Sequence, residues 1–415
     1  MDIMAKRIRG EGSIFFNEGK RLWTLVKTYD LPNGEKKQKR ITGKTEKALR
    51  ANIAKFEESL EQAKVITKNV TLEKWLSKWL DTYVKPPVRK QKTYENYRDR
   101  LNYLIPIIGA RKINTITTME LQEIFNNLHM SGGKRGSGLA AHSVNRIRSY
   151  LKTALNSAIE HGLLAKNPVN ATKRLVEKKA EIVVMNEQEV RRFLSIAKDG
   201  AYITFGIKNP KYIKNNFGTQ YLQKNYYNLV NLALATGMRC GELRGLSWTC
   251  VDFAAGNIRV EEQLVTTNDY ADMYDDPKTY HSVRRIGVDK TVLNELREFK
   301  TYQQEYAKIL GDQFQNEHDL IFTNTFGRPV CYSNFRQRYF LKMIGTAGIS
   351  EKFRIHCLRH THATLLLKAG VNVNVVSKRL GHSNATVTLN IYAHVLEEME
   401  KTAADAWGKL LYTDE

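Results

Sequence analysis

Cysteine is scarce in this chain of 415 residues: Cys240, Cys250, Cys331 and Cys357 are scattered, with no CxxC pair. That excludes a disulfide framework and a cysteine zinc site, and a reducing compartment fits best. No apolar run approaches the eighteen or so residues of a membrane span. The opening MDIMAKRIRG lacks the apolar stretch of a secretion signal. A cytoplasmic protein without membrane contact is expected. Negative charge is short too, with 43 Asp+Glu against 65 Lys+Arg and a net charge of +22. Such a balance points to a polyanionic partner, of which nucleic acid is the usual one. The excess is uneven: residues 1–64 carry +6, residues 65–180 carry +13 and residues 181–415 only +3. Basic DNA-holding segments are expected ahead of a nearly neutral working domain.

Hydrophobic patterning divides the chain further. Residues 12–42 read as three short strands, with the turn LPNG between the second and third, where Asn-Gly is a strong hairpin signal. Thr45 then opens a helix to about Lys64. Such a unit could insert its sheet into a DNA groove or bind a protein; the Lys/Arg on the strand after LPNG favours DNA. Residues 70–170 read as four helices. In TLEKWLSKWLDTYV, Leu72, Trp75, Leu76, Trp79 and Tyr83 form a core-facing stripe. Pro86-Pro87 end that helix, and VRKQKTYENYRDRL begins the next with Arg89, Lys90 and Lys92. Thr117 starts a third. The fourth, HSVNRIRSYLKTALNSAIEHGL, carries Arg146, Arg148 and Lys152 on roughly one face, which suits a clamp on duplex phosphates. The polar stretch after residue 172 reads as a linker, and Asn186 with Glu189 as the cap of the next helix. The expected fold is therefore multidomain and mainly α with small β-sheets. Its parts are a sheet-plus-helix unit at 1–66, a helical domain at 67–172, a linker at 173–184 and a mixed α+β domain at 185–415.

Three stretches of the last domain carry chemistry. ATGMRCGELRGLSW places Glu242 three residues after Arg239, where a carboxylate can orient a guanidinium on one helix face. DDPKTYHSVRRIGVD puts Lys278 near a hairpin tip, where a lysine is usually solvated. The span from His356 to Val395 gathers His356, Arg359, His360, His362 and His382 ahead of Tyr392. The H-x3-H-x-H at its start has no carboxylate at ligand spacing, so no metal is expected. His360 and His362 are read as structural.

Taken in order, TGMRCGEL, PKT, HCLRHTHAT, LGH and Tyr392 resemble the tyrosine recombinase (phage integrase) family. The resemblance covers roughly residues 180–400. It implies that Arg239, Lys278, His356, Arg359 and His382 surround a nucleophilic Tyr392, with Glu242 in support. The implied reaction attacks a DNA phosphodiester, leaving a 3′-phosphotyrosine and a free 5′-hydroxyl. Physical chemistry agrees: two arginine forks can neutralise the charge gathering on the non-bridging oxygens, and the histidines can donate or shuttle protons. Lys278 is then the acid for the departing oxygen. Rejoining needs no ATP because the phosphate bond is kept in the enzyme link, and no metal or other cofactor is expected.

The same resemblance implies a homotetramer acting on two duplexes, exchanging strands through a four-way junction. The small N-terminal unit is similar to those that bind arm sites in integrases of conjugative transposons and temperate phages, with the helical domain on the core site. An excisionase and a host DNA-bending protein are possible partners. HVLEEMEKTAADAWGKLL reads as an amphipathic tail that docks in its own domain or, as such tails often do in the family, on a neighbouring subunit through Trp407. Two rivals remain: a type IB topoisomerase with similar chemistry, and a DNA-binding regulator that keeps the fold without catalysis.

Overall fold

The computed structural model describes residues 13–19, 21–30, 36–65, 70–133, 136–177, 182–200, 217–266, 272–275, 283–389, 391–392 and 407. It divides into two compact units, Met1–Lys179 and Ala180–Glu415.

The first unit begins with the antiparallel sheet β1 (Ser13–Asn17), β2 (Leu22–Asp30) and β3 (Lys36–Gly43), in that order. The turn LPNG lies outside the described residues. Helix α1 (Glu46–Val65) starts where Thr45 Oγ1 accepts the Ala48 N–H at 3.1 Å, the expected cap. Leu25, Ile41 and Leu49 fill a small core between sheet and helix, flanked by Trp23, Ile53 and Phe56. Ile14, Phe15 and Phe16 of the edge strand stay exposed.

The helical part follows with α2 (Leu72–Tyr83), α3 (Gln91–Leu101), α4 (Ile105–Ile108), α5 (Thr118–Ser131) and α6 (Ala141–Glu160). Thr71 and Thr117 cap α2 and α5 through their hydroxyls. The stripe on α2 is buried as expected at Leu72, Trp75, Leu76 and Trp79, each worth about 1.5–3 kcal/mol of apolar burial. Tyr83 departs from it: 40% exposed at the helix end, its hydroxyl lies 2.7 Å from His161 Nε2. α3 begins three residues later than Val88, after the turns around Pro86-Pro87. Of the stretch expected to be a linker, residues 173–177 lie along α6: Asn145 exchanges two hydrogen bonds with the Leu175 backbone and donates to Glu177.

The second unit opens with α7 (Glu187–Asp199), capped reciprocally by Asn186 and Glu189. Helix α8 (Phe217–Thr236) is buried on most of its faces, as suits a helix at the centre of a domain. It packs against α7, against α10 (Lys290–Leu310) and against α13 (Ile355–Lys368), so its C-terminal end is held deep in the unit. After the short α9 (Cys240–Arg244) come β4 (Val251–Asp252), β5 (Asn257–Val260), β6 (Gln263–Thr266), β7 (Asp272–Asp275) and β8 (Arg284–Gly287). β5 pairs with β4 and β8 in one antiparallel sheet, and β6 with β7 in another. Helices α11 (Tyr332–Asn334) and α12 (Leu341–Thr346) lead to α13, and α14 (Val373–Leu380) packs on it. Asn384 Oδ1 accepts the Thr386 N–H, and residues 385–389 and 391–392 are helical. Among the described residues no helix is long and apolar enough to cross a membrane.

Candidate active site

Two glycines frame the site. α8 stops at Thr236, and Gly237 reverses the chain with φ of +66°, a conformation L side chains rarely adopt; a Cβ there would lie 2.6 Å from His362 Cδ2. Gly381 ends α14 in the same way at φ of +67°, with the Arg284 side chain against its open face. Each glycine carbonyl takes an arginine from a distant motif. Arg359 Nη1 donates to Gly237 O at 2.9 Å, and Arg239 Nη2 donates to Gly381 O at 3.1 Å. Motifs 122 and 142 residues apart are thereby locked into one cluster.

Arg239 precedes α9 rather than sharing its face with Glu242, a departure from the expected helix pair. The chain is extended at Arg239, and Glu242 sits in the first helical turn. The carboxylate therefore takes both the Arg239 backbone N–H (2.8 Å) and its Nη1 (2.7 Å). From the other side Arg284 donates Nη2 to Oε2 at 2.8 Å and Nη1 to Oε1 at 3.1 Å. Glu242 is 2% exposed. Burial by itself would raise its pKa, but the Arg284 fork and then Arg239 outweigh that and hold it below the ordinary carboxylate value. Arg284 was missed in the sequence reading. Its signal was present: Ile286 of the same strand is buried, and residues two apart share a face.

Arg359 is 3% exposed. Burial, then the neighbouring Arg239, push its guanidinium down to about 9. Arg239, Arg284 and Arg359 gather around the carboxylate of Glu242.

The histidines divide into two kinds. His356 is shifted down by burial, then by Arg359 and Arg239. His382 is pushed down to about 4 by burial and the same arginines, and its Nδ1 lies 2.8 Å from Thr388 Oγ1. Both are therefore neutral at pH 7. His362 is structural, as expected: its Nδ1 donates to Leu234 O at 2.7 Å, and its Nε2 accepts from Arg379 Nε at 3.0 Å. His360 also has a polar partner. Its Nδ1 lies 2.8 Å from the Tyr392 hydroxyl.

Tyr392 is 1% exposed and packs with Ala363, Leu367, Val376 and Leu380. Burial raises its hydroxyl to about 12, and Arg359 pulls in the opposite direction. The structure thus brings Arg239, Glu242, His356, Arg359, His382 and Tyr392 together. Lys278 lies outside the described residues, between β7 and β8. Of the C-terminal tail only Trp407 is described, and it is exposed.

The basic side chains expected on DNA lie in the first unit. Arg89 and Lys90 are exposed just before α3, and Lys92 Nζ lies 3.0 Å from the buried Glu95. Arg146 is exposed and Lys152 half-buried on α6. Arg148 turns inward, donating to Thr172 Oγ1 and to the carbonyls of Val169 and Thr172.

Residues 184–399 match the model of the Phage integrase family, and residues 71–129 that of the phage integrase N-terminal SAM-like domain. The chain is 29% identical, over 91% of its length and 93% of the relative's, to a "Tyrosine recombinase XerC-like" protein of Caldanaerobacter subterraneus. It is 27% identical to the ICEBs1 integrase of Bacillus subtilis, over 78% of this chain and 79% of that one. In fold it is similar to the Tn1549 transposon integrase in complex with transposon right-end DNA, with a TM-score of 0.60 at 23% identity, covering 80% of this chain and all of that one. It is also similar to the lambda integrase tetramer bound to a Holliday junction, with a TM-score of 0.50 at 20% identity over 90% and 96% of the two chains.

Proposed function

Because the chain belongs to the phage integrase family, it is a tyrosine recombinase, an enzyme of site-specific DNA recombination, and we propose that Tyr392 is its nucleophile. The observation that carries this reading is the buried tyrosine beside a cluster of buried arginines. A scissile phosphodiester is the anion such a cluster suits. Arg239 and Arg359 donate to its non-bridging oxygens, and their forks bind more strongly as charge grows in the transition state. His356 and His382 add donors to the same oxygens. Glu242, clamped by Arg284, keeps the Arg239 fork aimed. Tyr392 Oη attacks phosphorus, the P–O5′ bond breaks, and Lys278 protonates the departing oxygen. The product is a 3′-phosphotyrosine and a 5′-hydroxyl, from which a second 5′-hydroxyl can rejoin the strand without ATP.

The enzyme's role in this reading is integration and excision of a mobile element. The basic helical domain, with Arg89, Lys90, Lys92, Arg146 and Lys152, takes the core site, while Arg148 is turned inward and is left out. The sheet of β1–β3, with its basic third strand, takes the arm sites. The working form is a homotetramer on two duplexes in the cytoplasm, with tail exchange between subunits, and an excisionase and a DNA-bending protein set its direction. The Tyr392→Phe protein tests the core of the proposal on a nicked suicide duplex carrying the element's end. It should bind like the parent and form no covalent adduct; an adduct would remove Tyr392 from the role.

A further inference from the structure

Tyr392 must lose its proton as its oxygen attacks, yet the hydroxyl is sealed from bulk water in the free protein. The acceptor has to be a neighbour at hydrogen-bond distance. Arg239 and Arg359 have no lone pair to offer. His360 Nδ1 lies 2.8 Å from Tyr392 Oη, with the two rings 5.8 Å apart and steeply inclined. The position follows from α13: His360 comes one turn after His356, with the rings edge to face at 4.9 Å, and directly after Arg359. The same helical turn therefore delivers the arginine to the phosphate and an imidazole to the nucleophile.

We propose that His360 is a catalytic residue that takes the proton of Tyr392 during strand cleavage and returns it during rejoining. This rests on the assignment of Tyr392 as the nucleophile. The electron and proton count closes within the site. The Tyr392 O–H bond breaks toward His360 Nδ1, the Oη–P bond forms, the P–O5′ bond breaks, and the 5′-oxygen takes its proton from the acid assigned to Lys278. In rejoining, a 5′-hydroxyl attacks phosphorus, the Oη–P bond breaks, and the imidazolium gives its proton back to the phenolate oxygen. Burial, His356 and Arg359 keep the free ring neutral, so one ring nitrogen holds a lone pair, and the proposal requires the tautomer in which that nitrogen is Nδ1. The phosphodiester that enters between the arginines offsets the repulsion from Arg359, so the imidazolium becomes stable only when DNA is in place.

The test is single-turnover cleavage by the full-length protein on a nicked suicide duplex carrying the element's end. The variants are His360→Ala and His360→Asn, the latter keeping an acceptor near Nδ1 without a usable base. Both should bind the duplex like the parent and cleave about 100-fold or more slowly. The loss should persist on a duplex whose 5′-bridging oxygen is sulfur, because that leaving group needs no acid while the tyrosine still needs a base. Added imidazole should restore part of the His360→Ala rate in proportion to its concentration, a response a packing defect does not give. Cleavage by His360→Ala within threefold of the parent overturns the proposal, as does full activity of His360→Asn. Tyr392→Phe run alongside separates the two readings. An adduct formed by that variant strikes the nucleophile, whereas a fast His360→Ala beside an inert Tyr392→Phe strikes His360 alone.

Discussion

Replacing Glu242 by alanine probes the electrostatic frame of the site. The carboxylate accepts four hydrogen bonds, two from Arg239 and two from Arg284, and the Arg284 side chain is itself only 6% exposed. Glu242→Ala removes a carboxylate from a buried guanidinium, leaves the Arg239 N–H without its side-chain acceptor, and strengthens the repulsion among Arg284, Arg239 and Arg359. Removing one partner of a buried pair costs about 3–5 kcal/mol. For a unit of this size each kcal/mol lowers the melting temperature by about 2–4 °C, so a fall of about 6–20 °C is expected. Thermal unfolding of the full-length protein at pH 7, followed by circular dichroism, reads it directly. Glu242→Gln should recover only part of the loss, because its amide N–H2 meets a guanidinium donor where the carboxylate offered a second acceptor. A melt within about 2 °C of the parent for Glu242→Ala would refute the reasoning, since Arg284 would then have reached water unaided.

Arg239→Lys and Arg359→Lys should each retain DNA binding and cut about 100- to 1,000-fold more slowly on the suicide duplex, because a lysine cannot supply the planar fork. Stability should fall as pH drops from about 6.5 toward 4. His360, His362 and His382 are neutral in the fold with values of about 4, so the unfolded chain protonates first and binds more protons in that window. His362 alone accounts for about 3 kcal/mol of this loss, which urea midpoints at pH 7.5, 5.5 and 4.5 would register. Below the ordinary carboxylate range the depressed Glu242 adds to it, its contribution vanishing as pH falls through its lowered value. Deleting residues 1–66 should abolish footprints at arm sites and leave core-site cleavage intact; loss of the core footprint instead would reverse the domain roles. Chelation with EDTA should leave cleavage unchanged, since the arginines hold the phosphate charge.

The element pattern of the N-terminal sheet, the caps at Thr45, Thr117 and Asn186, and the buried stripe of α2 could be read from the chain because each depends on neighbours within a turn or a strand. The ordered motifs that end at Tyr392 were legible for a different reason: together they resemble the tyrosine recombinase family. What escaped was set by tertiary approach. His360 looked like one more histidine on a helix, because its partner lies 32 residues on. Arg148 looked like part of a basic surface, although Thr172 and Val169 draw it inward. Arg284 could have been found from strand alternation, yet only the fold shows that it faces Glu242 from a strand 42 residues away. The paired glycines are the sharpest case. TGMR, HCLRH and LGH each read as a local motif, and the bonds from Arg359 to Gly237 O and from Arg239 to Gly381 O exist only once the chain has folded.

The measurement that tests the account most directly is the identity of the protein–DNA bond. Full-length protein trapped on the nicked suicide duplex, digested with protease and nuclease, should yield one adducted peptide in mass spectrometry. The account requires a nucleotide joined through its 3′-phosphate to the oxygen of Tyr392. A phosphate on any other side chain, or linkage through a 5′-phosphate, would contradict it.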